Sequence, residues 1–205
     1  MKTSKTPQAK RKKKCKVCHQ RFIPRSSTQV ACSLPCALGV ALAKTEKRER
    51  KRLRDDRERI KPRGKLMAEA QTAFNAFIRL RDEGLPCVSC GILNPIEGPG
   101  GAWDCGHYLT RGAHPELRFN EDNAHRQCKK CNGGAGNWSG KSHTVQQEYR
   151  EQLVRRIGIE RVATLEGPHN AEHWSADDLR AIKLKYREMS RELKKSRRCE
   201  DPPRL

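Results

Sequence analysis

The chain has 205 residues, 44 Lys and Arg against 24 Asp and Glu, a formal charge of +20, and only 35% hydrophobic and 5% aromatic residues. Such a composition offers too little burial to offset chain entropy with one large core, so small metal-held modules joined by solvated helix fit better. No run approaches the roughly 18 apolar residues of a membrane span, and no apolar stretch follows the basic N-terminus as a secretory signal requires. The charge excess points to a polyanionic partner, nucleic acid before anionic membrane.

Residues 1–14 carry Lys2, Lys5, Lys10, Arg11, Lys12, Lys13 and Lys14 and no acid. They read as a disordered basic arm, either solubilising or DNA-contacting. A knuckle follows over 15–36, with Cys15-x2-Cys18 and Cys32-x3-Cys36 bracketing a stretch from Arg21 to Val30 that is long enough for a short hairpin. Two close pairs present four thiolates to one tetrahedral ion, the usual structural zinc arrangement. A disulfide framework is the alternative, and a reducing compartment disfavours it. Four thiolates would hold residues too few to fold unaided.

Residues 37–65 read as a charged helical connector. Leu42, Leu53 and Ile60 are too sparse for an apolar stripe, so the helix has little to bury. Twenty-five residues of it would span roughly 37 Å, about one turn of duplex DNA. From 44 to 65 there are 12 basic and 5 acidic side chains, leaving +7, with Arg48, Arg52 and Arg59 as candidate phosphate contacts. Pro62 and Gly64 then break the chain. Leu66, Met67, Ala70, Ala73, Phe74, Phe77 and Ile78 recur at helical spacing, which predicts an amphipathic helix over 66–82, ended by Gly84 and Pro86.

The informative stretch runs from Cys87 to Gly140. It reads Cys87-Val-Ser-Cys90, then Trp103-Asp-Cys-Gly-His107-Tyr, then Asn123-Ala-His125-Arg-Gln-Cys128-Lys-Lys-Cys131-Asn132. Two thiolate pairs, a second zinc site by the same reasoning, enclose a His-bearing strand and an Asn-bearing turn. The arrangement resembles the HNH nuclease family, whose ββα-metal unit often sits inside a four-cysteine zinc frame. Phosphodiester hydrolysis needs a nucleophilic water, a group to take its proton, and positive charge for the leaving oxygen. On this reading His107 is the general base, since imidazole titrates near neutrality. Asn123 would orient its ring through the side-chain carbonyl, and Asp104 with Asn132 would hold Mg²⁺ or Mn²⁺.

Asp104 stands three positions before His107, whereas the commonest HNH pattern places the acid directly before the base. Residues three apart on a regular strand face opposite ways, so Asp104 needs a bulge or turn, which Gly106 would permit. The quieter readings are that His107 is a zinc ligand, that Asp104 bonds a turn, and that His125 packs or contacts phosphate instead of joining the active site. Asn137 could belong to a turn or to the metal. His114 reads as a loop residue, and His143, His169 and His173 receive no catalytic role. Cys105 and Cys199 are left over as thiols. Arg118, Arg126, Lys129 and Lys130 are further candidates for DNA contact beside the site.

In the C-terminal helical region, 141–205, Ser175 precedes Ala176, Asp177 and Asp178 in a capping-box-like start flanked by Trp174 and Leu179. Leu179, Ile182, Tyr186, Met189 and Leu193 form a 3-4 seam. It is expected to pack on a helix at 144–157, or in a homodimer.

Over nearly its full length the chain resembles the lambda-type phage Rap recombination nuclease family, also called NinG. The likeness rests on the N-terminal knuckle, the charged helix, Phe74-Asn-Ala-Phe-Ile-Arg79, Leu85-Pro-Cys-Val-Ser-Cys-Gly91 and Gly106-His-Tyr108. It continues through Leu117-Arg-Phe-Asn-Glu121, Gln127-Cys128, Cys131-Asn132, Gly136-Asn137, Arg156-Ile-Gly158 and a helix beginning near Trp174. The resemblance implies a metal-dependent endonuclease acting on Holliday junctions and displacement loops, encoded by a phage and working in the bacterial cytoplasm. The expected architecture is α+β: zinc-stabilised modules, with an HNH-like core at 66–140. The rivals are a non-catalytic DNA-binding recombination accessory protein and a zinc-finger regulator of duplex DNA.

Overall fold

The computed structural model describes residues 11–98, 100–134 and 142–200. Lys2, Lys5, Lys10, Asn137 and the side chains of His143 and Cys199 therefore lie outside the described residues. The fold is mixed, with helices and two small antiparallel sheets, and it divides into a unit of Met1–Lys61 and a unit of Pro62–Leu205.

In the first unit, β1 (Lys13–Lys14) pairs with β2 (Arg21–Phe22), Lys13 opposite Phe22 and Lys14 opposite Arg21. Lys13 and Lys14 thus belong to the knuckle and not to a basic arm. The hairpin encloses Cys15 and Cys18 instead of falling inside 21–30. Tying the chain on both sides of the first cysteine pair fixes both sulfurs against one centre. Helix α1 (Leu34–Arg59) opens with Pro35 in its first turn, where a missing N–H costs nothing, and it buries no residue. It starts three residues before the expected boundary, which places Cys36 on its first turn. Ion pairs such as Arg52–Asp56 at 3.9 Å and Arg59–Asp56 at 3.1 Å are exposed, so they steady the helix only modestly.

In the second unit, α2 (Arg63–Arg81) buries Leu66, Ala70, Ala73, Phe74, Phe77 and Ile78. Against this stripe lie α6 (Ala176–Glu200), through Leu179 and Tyr186 with Ile182 and Met189 alongside, and one face of a strand pair, through Cys105 and Ala124. Phe74 meets Phe119 and Tyr186 edge-on, with centroids 5.7 and 4.9 Å apart. Each buried large side chain here contributes about 1.5–3 kcal/mol of transfer free energy.

The seam of α6 is therefore occupied by α2, not by the helix at 144–157. That segment is α4 (Ser142–Ile157). With α5 (Ile159–Glu166) it makes a second core of Tyr149, Leu153, Val162 and Leu165 around Val88, Tyr108 and Leu117. The α6 start is a reciprocal capping box: Ser175 N–H donates to Asp178 Oδ2 at 2.8 Å and Asp178 N–H to Ser175 Oγ at 3.1 Å.

Between the two cores lie β3 (Trp103–His107) and β4 (Ala124–Cys128), antiparallel from Trp103 opposite Cys128 to His107 opposite Ala124. A short helix, α3 (Lys129–Gly134), follows directly.

Candidate metal centres and catalytic cleft

Each cysteine tetrad gathers its four sulfurs within 4.8 Å of one another, Cys15, Cys18, Cys32 and Cys36 in the first unit and Cys87, Cys90, Cys128 and Cys131 in the second. The two knuckles repeat one backbone design. Cys15 N–H donates to Gln20 O and His19 N–H to Cys15 O; equally, Cys87 N–H donates to Ile92 O and Gly91 N–H to Cys87 O. Each turn closes with a residue at positive φ, His19 at 61° and Gly91 at 71°.

The first tetrad's thiols already share protons unequally. N–H groups of Val17 and Cys18 hold Cys15 down at about 6, while hydrogen bonding to Cys18 pushes Cys32 up to about 12. In the second, Cys128 N–H donates to Cys87 Sγ at 3.3 Å. None of the described cysteines forms a disulfide. Four sulfurs this close cannot all ionise without a cation between them, and Zn²⁺ with tetrahedral thiolate ligands is the ion they fit.

His107, at the end of β3, lines a cleft of about 480 Å³ with Cys105, Thr110, Arg111, Gly112, Arg118 and Asn132. Its ring lies 6.0 Å from that of Phe74. His107 Nε2 is 3.1 Å from Arg118 O, and a carbonyl can only accept, so Nε2 carries the proton and Nδ1 keeps the lone pair. Burial, with Arg111 and Arg118 nearby, pushes the imidazole down to about 4 against the pull of its backbone hydrogen bonds. Burial and Arg111 likewise lower Arg118. The cleft is therefore a neutral imidazole among cationic side chains, suited to an anion and to taking a proton beside it.

Asp104 is on the strand face opposite His107, because the β3–β4 register runs without a bulge. Gly106 makes no bulge; its missing side chain leaves room for Gln127. Asp104 nonetheless reaches the helix that supplies Asn132: Asn132 Nδ2 donates to Asp104 Oδ2 at 3.1 Å, and Lys129 Nζ lies 3.0 Å from Asp104 Oδ1. Asn132 thus touches Asp104 and also lines the His107 cleft. The carboxylate and the Asn132 side-chain oxygen suit a hard divalent ion that keeps several waters. Lys129, a candidate for DNA contact, pairs with this carboxylate.

Asn123 does not hold His107. Fully buried, its Oδ1 accepts from Leu109 N–H at 2.8 Å and its Nδ2 donates to Leu109 O at 3.0 Å and Leu117 O at 3.3 Å. It fixes the loop that carries Arg118, so the backbone carbonyl of Arg118 performs the orienting role expected of Asn123.

His125 faces a different cavity, lined also by Arg81, Asp82, Arg156 and Arg161. Its Nε2 donates to Asp122 O at 3.2 Å and its Nδ1 accepts from Arg81 Nη2 at 3.0 Å. Burial keeps it neutral, lowering its pKa. Beside it, burial raises Asp82, but hydrogen bonds from Arg81, its charge, and the Arg126 N–H outweigh this and hold the carboxyl well below the usual range. Arg81 forks onto Asp82 at 2.6 and 3.0 Å, and Asp82 accepts Arg126 N–H at 2.9 Å. This network ties the end of α2 to β4.

Arg126 stacks 3.8 Å over the Trp103 ring and bonds Asp82 O, so it is a packing residue, whereas Lys130 is exposed. Thr110 and Arg111 complete the cleft and were not singled out from sequence. Their signal is faint, two ordinary residues shortly after His107.

No solved structure matches the chain. The family model described as bacteriophage lambda NinG protein matches residues 7–197. The chain is 38% identical to protein ninG of Escherichia phage 933W, over 91% of this chain and 96% of that one. It is 37% identical to protein ninG of Escherichia phage lambda and 36% identical to that of Salmonella phage P22, each over 92% of this chain and 96% of the other. With a match of this extent along both sequences, the chain belongs to the NinG family of phage proteins.

Proposed function

We propose that this chain is a metal-dependent DNA endonuclease that cuts branched recombination intermediates, Holliday junctions and displacement loops, in the bacterial cytoplasm. The observation that carries the reading is His107: a neutral imidazole, oriented by Arg118 O, in a cleft that Arg111 and Arg118 make electropositive. The β3–β4–α3 order inside a cysteine tetrad supports an HNH-like core. Arg111 and Arg118 bind the scissile phosphate, and His107 Nδ1 takes a proton from the attacking water. Asp104 and Asn132 are the residues to hold Mg²⁺ or Mn²⁺, which when bound supplies charge for the leaving oxygen. The two zinc centres hold shape and leave the chemistry to the cleft. Arg48, Arg52 and Arg59, exposed on α1, support phosphate contact outside the cleft.

The Lys129–Asp104 ion pair favours a second reading, a non-catalytic DNA-binding accessory protein, because a lysine-neutralised carboxylate has less to offer a divalent ion. Incubating the zinc-loaded protein with four-way, displacement-loop and linear substrates, with Mg²⁺, Mn²⁺ or neither, separates the two. Ion-dependent cutting of branched DNA supports the nuclease, and binding without cutting under every condition supports the accessory protein.

A further inference from the structure

A row of exposed basic side chains lies away from the cleft, along the outer seam where α2 meets α6. A groove of about 660 Å³ runs there, lined by Lys65, Ala68, Thr72 and Ala76 from α2 and by Arg187, Ser190, Arg191 and Lys194 from α6. The α6 residues recur at three- and four-residue spacing, so they form one stripe beside the buried seam. Lys65, Arg187, Arg191 and Lys194 are exposed. Lys183 and Glu69 bridge the two helices at 2.6 Å and neutralise the acid that lines the groove.

Elsewhere on α6, Arg180 pairs with Asp177 at 2.8 Å, Lys185 with Glu121 at 3.8 Å, and Arg197 with Glu83. The floor is Ala68, Thr72, Ala73, Ala76 and Ser190, small enough for a backbone to come close. A second hollow shares Ala76, Ser190 and Lys194 and continues past Arg79 to Trp103, the first residue of the strand that carries His107.

We propose that the α2–α6 groove is a phosphate track that seats the sugar–phosphate backbone of a duplex DNA arm, leading toward the strand that bears His107. The proposal rests on the reading of this protein as one that acts on DNA. A row of exposed cations over small side chains has the right chemistry for this partner. The contacts are to phosphate, not base edges, so they add affinity and orientation without sequence preference.

The test compares full-length, zinc-loaded wild type with Arg187→Gln/Arg191→Gln/Lys194→Gln, and with Lys185→Gln/Arg155→Gln as a control for charge lost elsewhere. Binding to a labelled four-way junction and to a linear duplex is followed by anisotropy over a salt series, with circular dichroism and zinc content confirming the fold. The triple variant should lose on the order of tenfold or more in affinity for both DNAs, and its salt slope should fall by about 0.9 per lost phosphate contact. The control should change much less. If wild type binds DNA and the triple variant matches it in affinity and slope, the track is wrong while the nuclease reading stands. If wild type binds no DNA at low salt, both fail.

Discussion

Gly106 and Gln127 approach so closely across the β3–β4 pair that a Cβ on Gly106 would stand 2.1 Å from Gln127 Oε1 and 2.9 Å from its Cβ. Gln127 cannot easily yield, because its Nε2 donates to Ser89 Oγ at 2.7 Å inside the fold. Tyr149 Oη also donates to Gly106 O at 3.1 Å, so the backbone is held as well. Gly106→Ala should therefore cost about 1–3 kcal/mol by overpacking, read as a lower denaturation midpoint at unchanged slope. An unchanged midpoint would mean that this contact is loose.

Two zinc ions per chain are expected by elemental analysis, with Cys128→Ser losing one of them together with cooperative unfolding. Cys105→Ser should retain both. The Cys105 thiol, pushed up to about 12 by burial, packs in the α2 core apart from either tetrad. Loss of zinc from the Cys105 variant would contradict the ligand assignment.

The His107 imidazole must be neutral to accept a proton, and with a pKa of about 4 it is neutral above roughly pH 5. The kcat/KM profile, which reports the free protein, should stay flat from pH 8 down to about 5.5 and fall only below 5. DNA phosphate in the cleft favours the imidazolium, so the acid limb of kcat should lie at higher pH than that of kcat/KM. Stability follows the same sign. The unfolded histidine protonates near 6.5, so the folded state loses stability as pH falls from there toward 4. An acid limb of kcat/KM near 6.5 would show that a different or more exposed group is the base.

His125→Gln should lower stability and leave cleavage close to wild type, because His125 serves the Arg81–Asp82 network behind the sheet. Asp82→Ala should cost more, about 3–5 kcal/mol, since it leaves the Arg81 charge without its buried partner. Loss of cleavage in His125→Gln at full stability would return His125 to the active site.

The sequence disclosed what repeats or clusters: both tetrads, the α2 stripe, the capping box at Ser175, and the His107–Asn132 stretch with its family likeness. It did not disclose which surfaces meet. The seam of α6 was legible, but two apolar partners were on offer. The α2 stripe of Leu66 to Ile78 is the broader, while α4 gives its apolar residues to α5 and Val88. Asn123 looked like a ring orienter from its place in the motif. Its amide instead satisfies the backbone of Leu109 and Leu117, a need that arises only once the loop is folded. Asp82 carried no signal at all, being one acid at a helix end.

His107 is the proposed base, and one comparison tests that assignment most directly. Junction cleavage by His107→Ala is measured beside wild type at equal bound fraction, with the binding isotherm, zinc content and Mg²⁺ or Mn²⁺ held in common. The expected result is a cleavage rate lower by about two to four orders of magnitude with junction binding retained. Wild-type cutting by the variant would contradict His107 as the base, and failure of the wild type to cut any branched substrate with either ion would contradict the nuclease itself.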